Sequence, residues 1–288
     1  MIDLHMHSTY SDGYYTVKEL IDLLNKNHIS FASITDHNNV DAHIEFEKNK
    51  LKEQFSGIMI RGVEIQTLVG NYIIEVLVYN YDLEKFKNFV DQTRKQFWDF
   101  HFSAYQQLLS IADSMGLKYI EPTKELQNGY YCNMKFQEAI AACYEENKKI
   151  ISEQILTDHL YFYRHEFQNE QSPFYIDNKL SFPKLEEVIK IAHECHGLVL
   201  LAHIDEYQAI EDKDQFLNDL ISRYNIDGLE VYHPSISKEN REKYKEYAKK
   251  HNLLISAGSD FHGPHLEHRK TINTEATLDE IQLLRIKK

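Results

Sequence analysis

Short apolar runs alternate along the chain with longer stretches in which apolar residues recur every three or four positions. The runs are Ile2-Asp3-Leu4, Phe31-Ala32-Ser33-Ile34, Ile58 to Val63, Tyr72 to Val78, Leu198 to Leu201, Leu229 to Tyr232 and Leu253 to Ala257. Each is short and rich in leucine or β-branched residues, the composition of a buried parallel strand. Between the first two runs, Thr16 and Glu19 have the spacing of a capping box, with Glu19 able to reach back to the Thr16 amide. Leu20, Leu23 and Leu24 follow at helical spacing. Helical patterns also cover Ala42 to Phe55, Leu185 to Cys195 and Lys238 to His251. Repeated strand–helix alternation predicts a parallel α/β sheet or barrel. Seven strand candidates are one fewer than the common eightfold barrel uses.

The stretch from Leu117 to Leu180 breaks the alternation. It is rich in Tyr and Phe, holds Pro122 and Pro173, and reads mostly as helix. The expected organisation is a discontinuous barrel domain, residues 1–116 and 181–288, interrupted by a helical cap, residues 117–180. A long polar-aromatic pattern from Leu83 to Met115 leads into the cap. The 288 residues suffice for one large domain with an insertion.

Charge narrows the functional classes. With 32 Lys and Arg against 45 Asp and Glu, the formal net charge is -13. Such a surface repels polyphosphate, so non-specific nucleic-acid binding is not expected. No apolar run approaches the ~18 residues of a membrane helix. Asp3, His5 and His7 interrupt the first apolar residues too early for a signal peptide. Cys132, Cys143 and Cys195 are an odd set without metal-type spacing, which reads as reduced thiols in a cytoplasmic protein.

The chemistry sits where strands end. His5-Met6-His7 and then Ser11-Asp12-Gly13 follow the first run, Thr35-Asp36-His37 the second, and the third ends at Glu64. The fifth ends at Ala202-His203, and the seventh leads into Gly258-Ser259-Asp260-Phe261-His262. Strand C-termini are where α/β barrels build their sites. An H-x-H pair on a strand puts both imidazoles on one face, and Asp260 with His262 repeats that geometry. Histidine and carboxylate together suit Zn, Mn or Fe, and an acidic residue can bridge two ions.

The motifs D-L-H-x-H-x-x-x-S-D-G, I-T-D-H-N, G-x-E-I, L-A-H and G-S-D-F-H-G resemble the PHP (polymerase and histidinol phosphatase) family of metal-dependent phosphoesterases, in its small-substrate branch. They run from His5 to His262, and Gly228 to Ser235 also looks like that branch. The resemblance implies a distorted seven-stranded (β/α)7 TIM-like barrel around two or three divalent ions: Mn, Zn or Fe, with Mg possible. It places His5, His7, Glu64 and Asp260 on a first ion and Asp12, His37 and His262 on a second. His203, Glu64 and Glu75 hold a third. The family usually carries histidine where this chain has Glu75, and a proline where Ile204 follows His203. A carboxylate within Ile73-Ile74-Glu75-Val76-Leu77 is costly to bury without a neutralising partner, which supports a metal-facing role. It also shifts that site toward harder ions such as Mn or Mg.

Asp36 reads as a partner orienting His37 rather than as a ligand. His233, at a strand end, and His265 are candidate proton donors to a leaving group. His265 and His268 follow the last motif closely and are expected to face the mouth of the site. Lys135, Arg164 and Arg269 are candidate phosphate clamps. Tyr161 to His165 reads as aromatics packing the cap. The expected activity is hydrolysis of a small phosphorylated metabolite or nucleotide by hydroxide formed at the metals. An L-histidinol-phosphate phosphatase and a metal-binding barrel with a regulatory role are the alternatives. The sequence carries no reading of oligomeric state.

Overall fold

Every apolar run of the sequence contains a strand, but the strands pair differently from a barrel. The structure is a computed structural model, and it describes residues 1–266, 269–272 and 274–281. His268 lies outside the described residues. Strands β1 (Ile2–Asp3), β2 (Phe31–Ala32) and β3 (Ile58–Met59) form a parallel sheet in that order. Strands β4 (Gly62–Val69), β5 (Tyr72–Tyr79), β6 (Leu198–Leu201), β7 (Gly228–Tyr232) and β8 (Leu254–Ala257) form a second sheet, also in sequence order. In it, β5 runs antiparallel to both β4 and β6, while β6, β7 and β8 are parallel.

The expected closed seven-stranded barrel is therefore corrected to a three-stranded and a five-stranded sheet. The apolar run Ile58 to Val63 is two strands, broken at Ile60 and Arg61. β4 returns directly as β5 through Gly70 and Asn71, with Val69 facing Tyr72. Gly70 has φ +59, which a tight hairpin turn needs and glycine adopts without strain. That hairpin replaces the crossover helix a parallel barrel would require. Beyond the strand ends the two sheets are linked by isolated bridges, Met6 with Phe261 and His37 with Glu64. Ser259 adds a link to the first strand, donating through its amide and its Oγ to the Asp3 carboxylate at 2.9 and 2.6 Å.

The helices are α1 (Val17–Lys26), α2 (Asp41–Lys48), α3 (Leu83–Met115), α4 (Cys132–Ala141), α5 (Tyr144–Asn147), α6 (Glu153–Thr157), α7 (His159–Tyr161), α8 (Leu185–Glu194), α9 (Lys213–Arg223) and α10 (Lys238–Lys250). The capping box at α1 forms as its spacing predicts. The Thr16 amide donates to Glu19 at 2.9 Å and the Glu19 amide to Thr16 Oγ1 at 3.4 Å. Among the described residues, no helix is long and apolar enough to cross a membrane.

Two compact units divide the chain. The first is Met1–Arg94 with Phe182–Lys288, and the second is Lys95–Ser181. In the first, Val63, Ile65, Val76, Val78, Leu200, Leu229 and Val231 fill one core, and α1 packs Leu20, Ile21 and Leu24 with Ala32 and Phe261 in another. The second unit has its own core, where Phe162 packs on Phe136 and Phe174 at ring separations of 5.8 and 5.6 Å. The aromatic run Tyr161 to His165 thus packs inward through Phe162, while Arg164 and His165 stay exposed. In the same unit His101 Nδ1 lies 3.0 Å from Cys132 Sγ. Burial pushes that thiol up to about 12 and the imidazole down to about 4, so the pair is uncharged and unreactive.

Candidate metal centre

The segments after β1 and β8 run side by side and carry the centre. Leu4 N donates to Ala257 O at 2.8 Å, Asp260 N to His5 O at 2.8 Å and His7 N to Phe261 O at 2.9 Å. Extended backbone alternates its side chains, so His5 and His7 share one face while Leu4 and Met6 enter the cores. Gly258 permits the approach, because a Cβ there would stand 2.0 Å from His5 Cβ. Asp260 has φ +52, a left-handed conformation that aspartate tolerates better than most residues and that turns its carboxyl inward.

An imidazole is ready to ligate when one nitrogen is tied by a donated hydrogen bond and the other is bare. His5 Nδ1 donates to Glu230 Oε1 at 2.9 Å. His7 Nδ1 donates to Ser11 Oγ at 3.2 Å, and Ser11 in turn donates to Asp36 Oδ1 at 2.6 Å. His262 Nδ1 donates to the Asp260 carbonyl at 2.7 Å. The acceptors place a proton on Nδ1 in all three, so in the neutral ring each Nε2 is the lone pair.

Those lone pairs meet carboxylates. Glu64 Oε2 lies 3.2 Å from His5 Nε2, 3.3 Å from His7 Nε2 and 3.1 Å from His37 Nδ1. Asp260 Oδ1 lies 3.0 Å from His7 Nε2 and 3.4 Å from His5 Nε2. Asp12 Oδ1 is 3.3 Å from His262 Nε2 and 3.8 Å from His37 Nε2. Glu64 Oε1 accepts from His203 Nε2 at 2.8 Å, and Glu75 Oε2 stands 3.4 Å from the same nitrogen. His5 Nε2, His7 Nε2, His37 Nδ1, Asp12 Oδ1, Glu64 Oε2 and Asp260 Oδ1 are all buried without a hydrogen bond. Buried polar atoms are rarely left so, and these face one another. A shared positive charge satisfies all of them, as protons or as cations.

Three sets of donor atoms each lie within 4.8 Å of one another: His5, His7, Glu64 and Asp260; His7, Asp12, His37 and His262; and His37, Glu64 and Glu75. The donor chemistry fits divalent cations. A further set, Glu206, His233 and Asp260, is different. Arg269 already supplies its positive charge, with one guanidinium nitrogen 2.8 Å from Asp260 Oδ2 and another 2.7 Å from Glu206 Oε2.

Protonation follows the same logic. Burial alone would lower His7, but the Asp260 and Glu64 carboxylates beside its Nε2 overcome this and raise it to about 10. Burial likewise opposes the charge on His203, and its bond to Glu64 raises it to about 9. Burial opposes ionisation of Glu64 and Asp260, yet the neighbouring imidazoles hold both well below the usual carboxylate range. Glu75 goes the other way, pushed up by burial and by the charge on Glu64. Without metal the centre is thus held together by protons on histidine, which a cation must displace.

All nine sequence candidates for metal ligation are brought into this centre. Asp36 is close, but its expected role is corrected. It accepts from the Ser8 amide at 2.7 Å, from Ser8 Oγ at 2.6 Å and from Ser11 Oγ at 2.6 Å, so it steadies His7 through Ser11 rather than orienting His37. His233 Nε2 is 3.4 Å from Asp260 Oδ2. His265 is exposed, its ring 6.0 Å from that of Tyr14. Lys135 and Arg164 belong to the second unit. Lys135 is buried there, 3.6 Å from Glu125 and over the Tyr105 ring, so its charge is already engaged.

Sequence reasoning missed Glu230, Glu206 and Tyr207. Glu230 is buried, accepting from His5 and from the His203 amide at 3.0 Å. Its signal, one acid inside an apolar strand, was the one that exposed Glu75. The Tyr207 hydroxyl braces Glu75 from behind, accepting from its amide at 2.9 Å. Nothing local marks Tyr207 or Glu206.

The family model for the PHP domain matches residues 3–282. A 5′-3′ exoribonuclease of Escherichia coli is 23% identical over 270 residues, covering 91% of this chain and 85% of the relative. A 3′,5′-nucleoside bisphosphate phosphatase of Chromobacterium violaceum is 22% identical over 297 residues, covering 95% and 91%. The solved structure of a candidate metal-dependent phosphoesterase from Bifidobacterium adolescentis superposes with a TM-score of 0.66 at 21% identity, covering 98% of this chain and 95% of that one.

Proposed function

The chain belongs to the PHP domain family and is a metal-dependent phosphoesterase, and we propose that it hydrolyses a phosphate monoester in a small phosphorylated metabolite or nucleotide. The observation that carries this reading is the set of buried, unbonded donor atoms sharing Glu64 and Asp260. His5, His7, Glu64 and Asp260 would hold one divalent ion, and Asp12, His37 and His262 a second. His203 and Glu75, with Glu64, would hold a third, made oxygen-rich by Glu75 and so suited to Mn or Mg. Bound there, such ions supply Lewis acidity toward phosphoryl oxygens and lower the pKa of water toward neutrality.

The remaining residues bind substrate and move its proton. Arg269 offers its guanidinium at the edge of the centre, where planar donors suit phosphate. The Ser235 amide donates to His233 Nδ1 at 3.1 Å, which puts the imidazole proton on Nε2. That proton faces Asp260 and is available to the departing alkoxide. A nucleotide is favoured because a bisphosphate phosphatase and exoribonucleases stand among the relatives. The small size follows from the net charge of -13, which disfavours a long polyanion.

Phosphate release from the Mn-supplemented protein tests this. The substrates are histidinol phosphate, a nucleoside monophosphate, a nucleoside 3′,5′-bisphosphate and a short 5′-phosphorylated RNA. One nucleotide is expected to dominate, and Asp260→Ala to remove at least about 10³-fold of that rate. Turnover confined to histidinol phosphate, or absent from all four with metal bound, would overturn the nucleotide reading.

A further inference from the structure

Arg269 is held from two unequal sides. Asp260 is 1% exposed and accepts from Arg269 and from His233 Nε2 through one oxygen, Oδ2. Glu206 ends the single 3₁₀ turn Ile204–Glu206 that follows His203, and its side chain is 27% exposed. Its bond to Arg269, at 2.7 Å, therefore borders water, while the bond to Asp260 does not. Its other close neighbour is His233 Nδ1 at 3.9 Å.

A guanidinium between two carboxylates has no spare positive charge for a third anion. Arg269 Nε has no partner of its own, so a phosphate that takes two parallel N–H donors, Nε and Nη2, must displace Glu206 from Nη2. Asp260 is fixed by burial and by its other contacts, whereas Glu206 can turn into solvent and regain hydration. We propose that Glu206 is a specificity-determining residue that occupies the phosphate-binding face of Arg269 and yields it only to a phosphate dianion. A monoester dianion outcompetes a carboxylate for two parallel N–H donors, and a diester monoanion does not. The pair thus selects terminal phosphates over internal ones. This rests on the reading of Arg269 as a phosphate contact.

Calorimetric titration of the Mn-loaded protein with inorganic phosphate, and with dimethyl phosphate as the monoanionic probe, tests it. Wild type is expected to bind phosphate and to leave dimethyl phosphate unbound. Glu206→Gln, which keeps the shape and removes the charge, should tighten phosphate about five- to tenfold and make dimethyl phosphate binding measurable. In an Arg269→Gln background the same change should have no effect. Manganese content is measured in each variant, with Arg269→Met used instead if Arg269→Gln loses metal. Weaker or unchanged phosphate binding in Glu206→Gln overturns the proposal, as does an effect that persists without Arg269 or a wild type that binds no phosphate. A wild type that binds phosphate in this pattern and hydrolyses no ester would sink the proposed function instead.

Discussion

Glu64→Gln is expected to leave less than about one-thousandth of wild-type turnover, a larger loss than removal of one transition-state donor usually causes. One carboxylate there serves four imidazoles. Its Oε2 faces His5, His7 and His37, and its Oε1 accepts from His203. An amide keeps the volume but places an NH₂ or a neutral oxygen against those nitrogens and removes a charge common to two of the three donor sets. Affinity should fall at more than one ion, so metal content measured by mass spectrometry should drop together with kcat. A Glu64→Gln protein with full metal content and a tenth of the wild-type rate would show that Glu64 does not bridge.

The second large effect is on stability, and its sign depends on metal. In chelator, His7 and His203 carry raised values, to about 10 and about 9. A group whose folded value is raised stabilises the fold fully below its unfolded value, near 6.5, and loses that contribution as pH climbs through the folded value. Metal-free protein should therefore weaken between pH 6.5 and pH 10, with a fall in Tm of about 5–10 °C. Glu64 and Asp260, held low, act in the opposite direction but only in acid, below this window. Manganese replaces the protons, so the loaded protein should show no such decline, and saturating metal should add several degrees at any pH in the window. Parallel thermal melts in chelator and in manganese across this range decide it. Equal slopes in the two would show that these imidazoles do not share their protons' place with a cation.

What the sequence made legible was decided by range. H-x-H after a strand fixes two side chains on one face through local geometry alone, and those two residues lie where the spacing places them. Glu75 was legible because an acid within five apolar residues demands a partner. The barrel was over-read, because alternation reports strands and helices but not how strands pair. The cue to the antiparallel return was present in Gly70-Asn71, two residues of tight-turn chemistry between two strand-like runs. Asp36 was misassigned because its neighbour in sequence, His37, is not its neighbour in space. Its serine partners come from another turn. Glu206 carried no signal, since its role depends on Arg269, 63 positions away.

The link between the first strand and the segment after the last bears on time rather than on strength. Asp3 and Ser259 are 256 positions apart, and His5, His7 and Asp260 lie beside that contact. Closing so long a loop is entropically expensive and belongs late in folding. An ion shared by those residues can bind only after closure. It lowers the native state without lowering the barrier that leads to it, so it lengthens the lifetime of the folded chain and leaves the speed of its formation alone. Metal supply would then govern how long each molecule survives between openings, and with that its exposure to proteolysis, independently of how fast it turns over substrate.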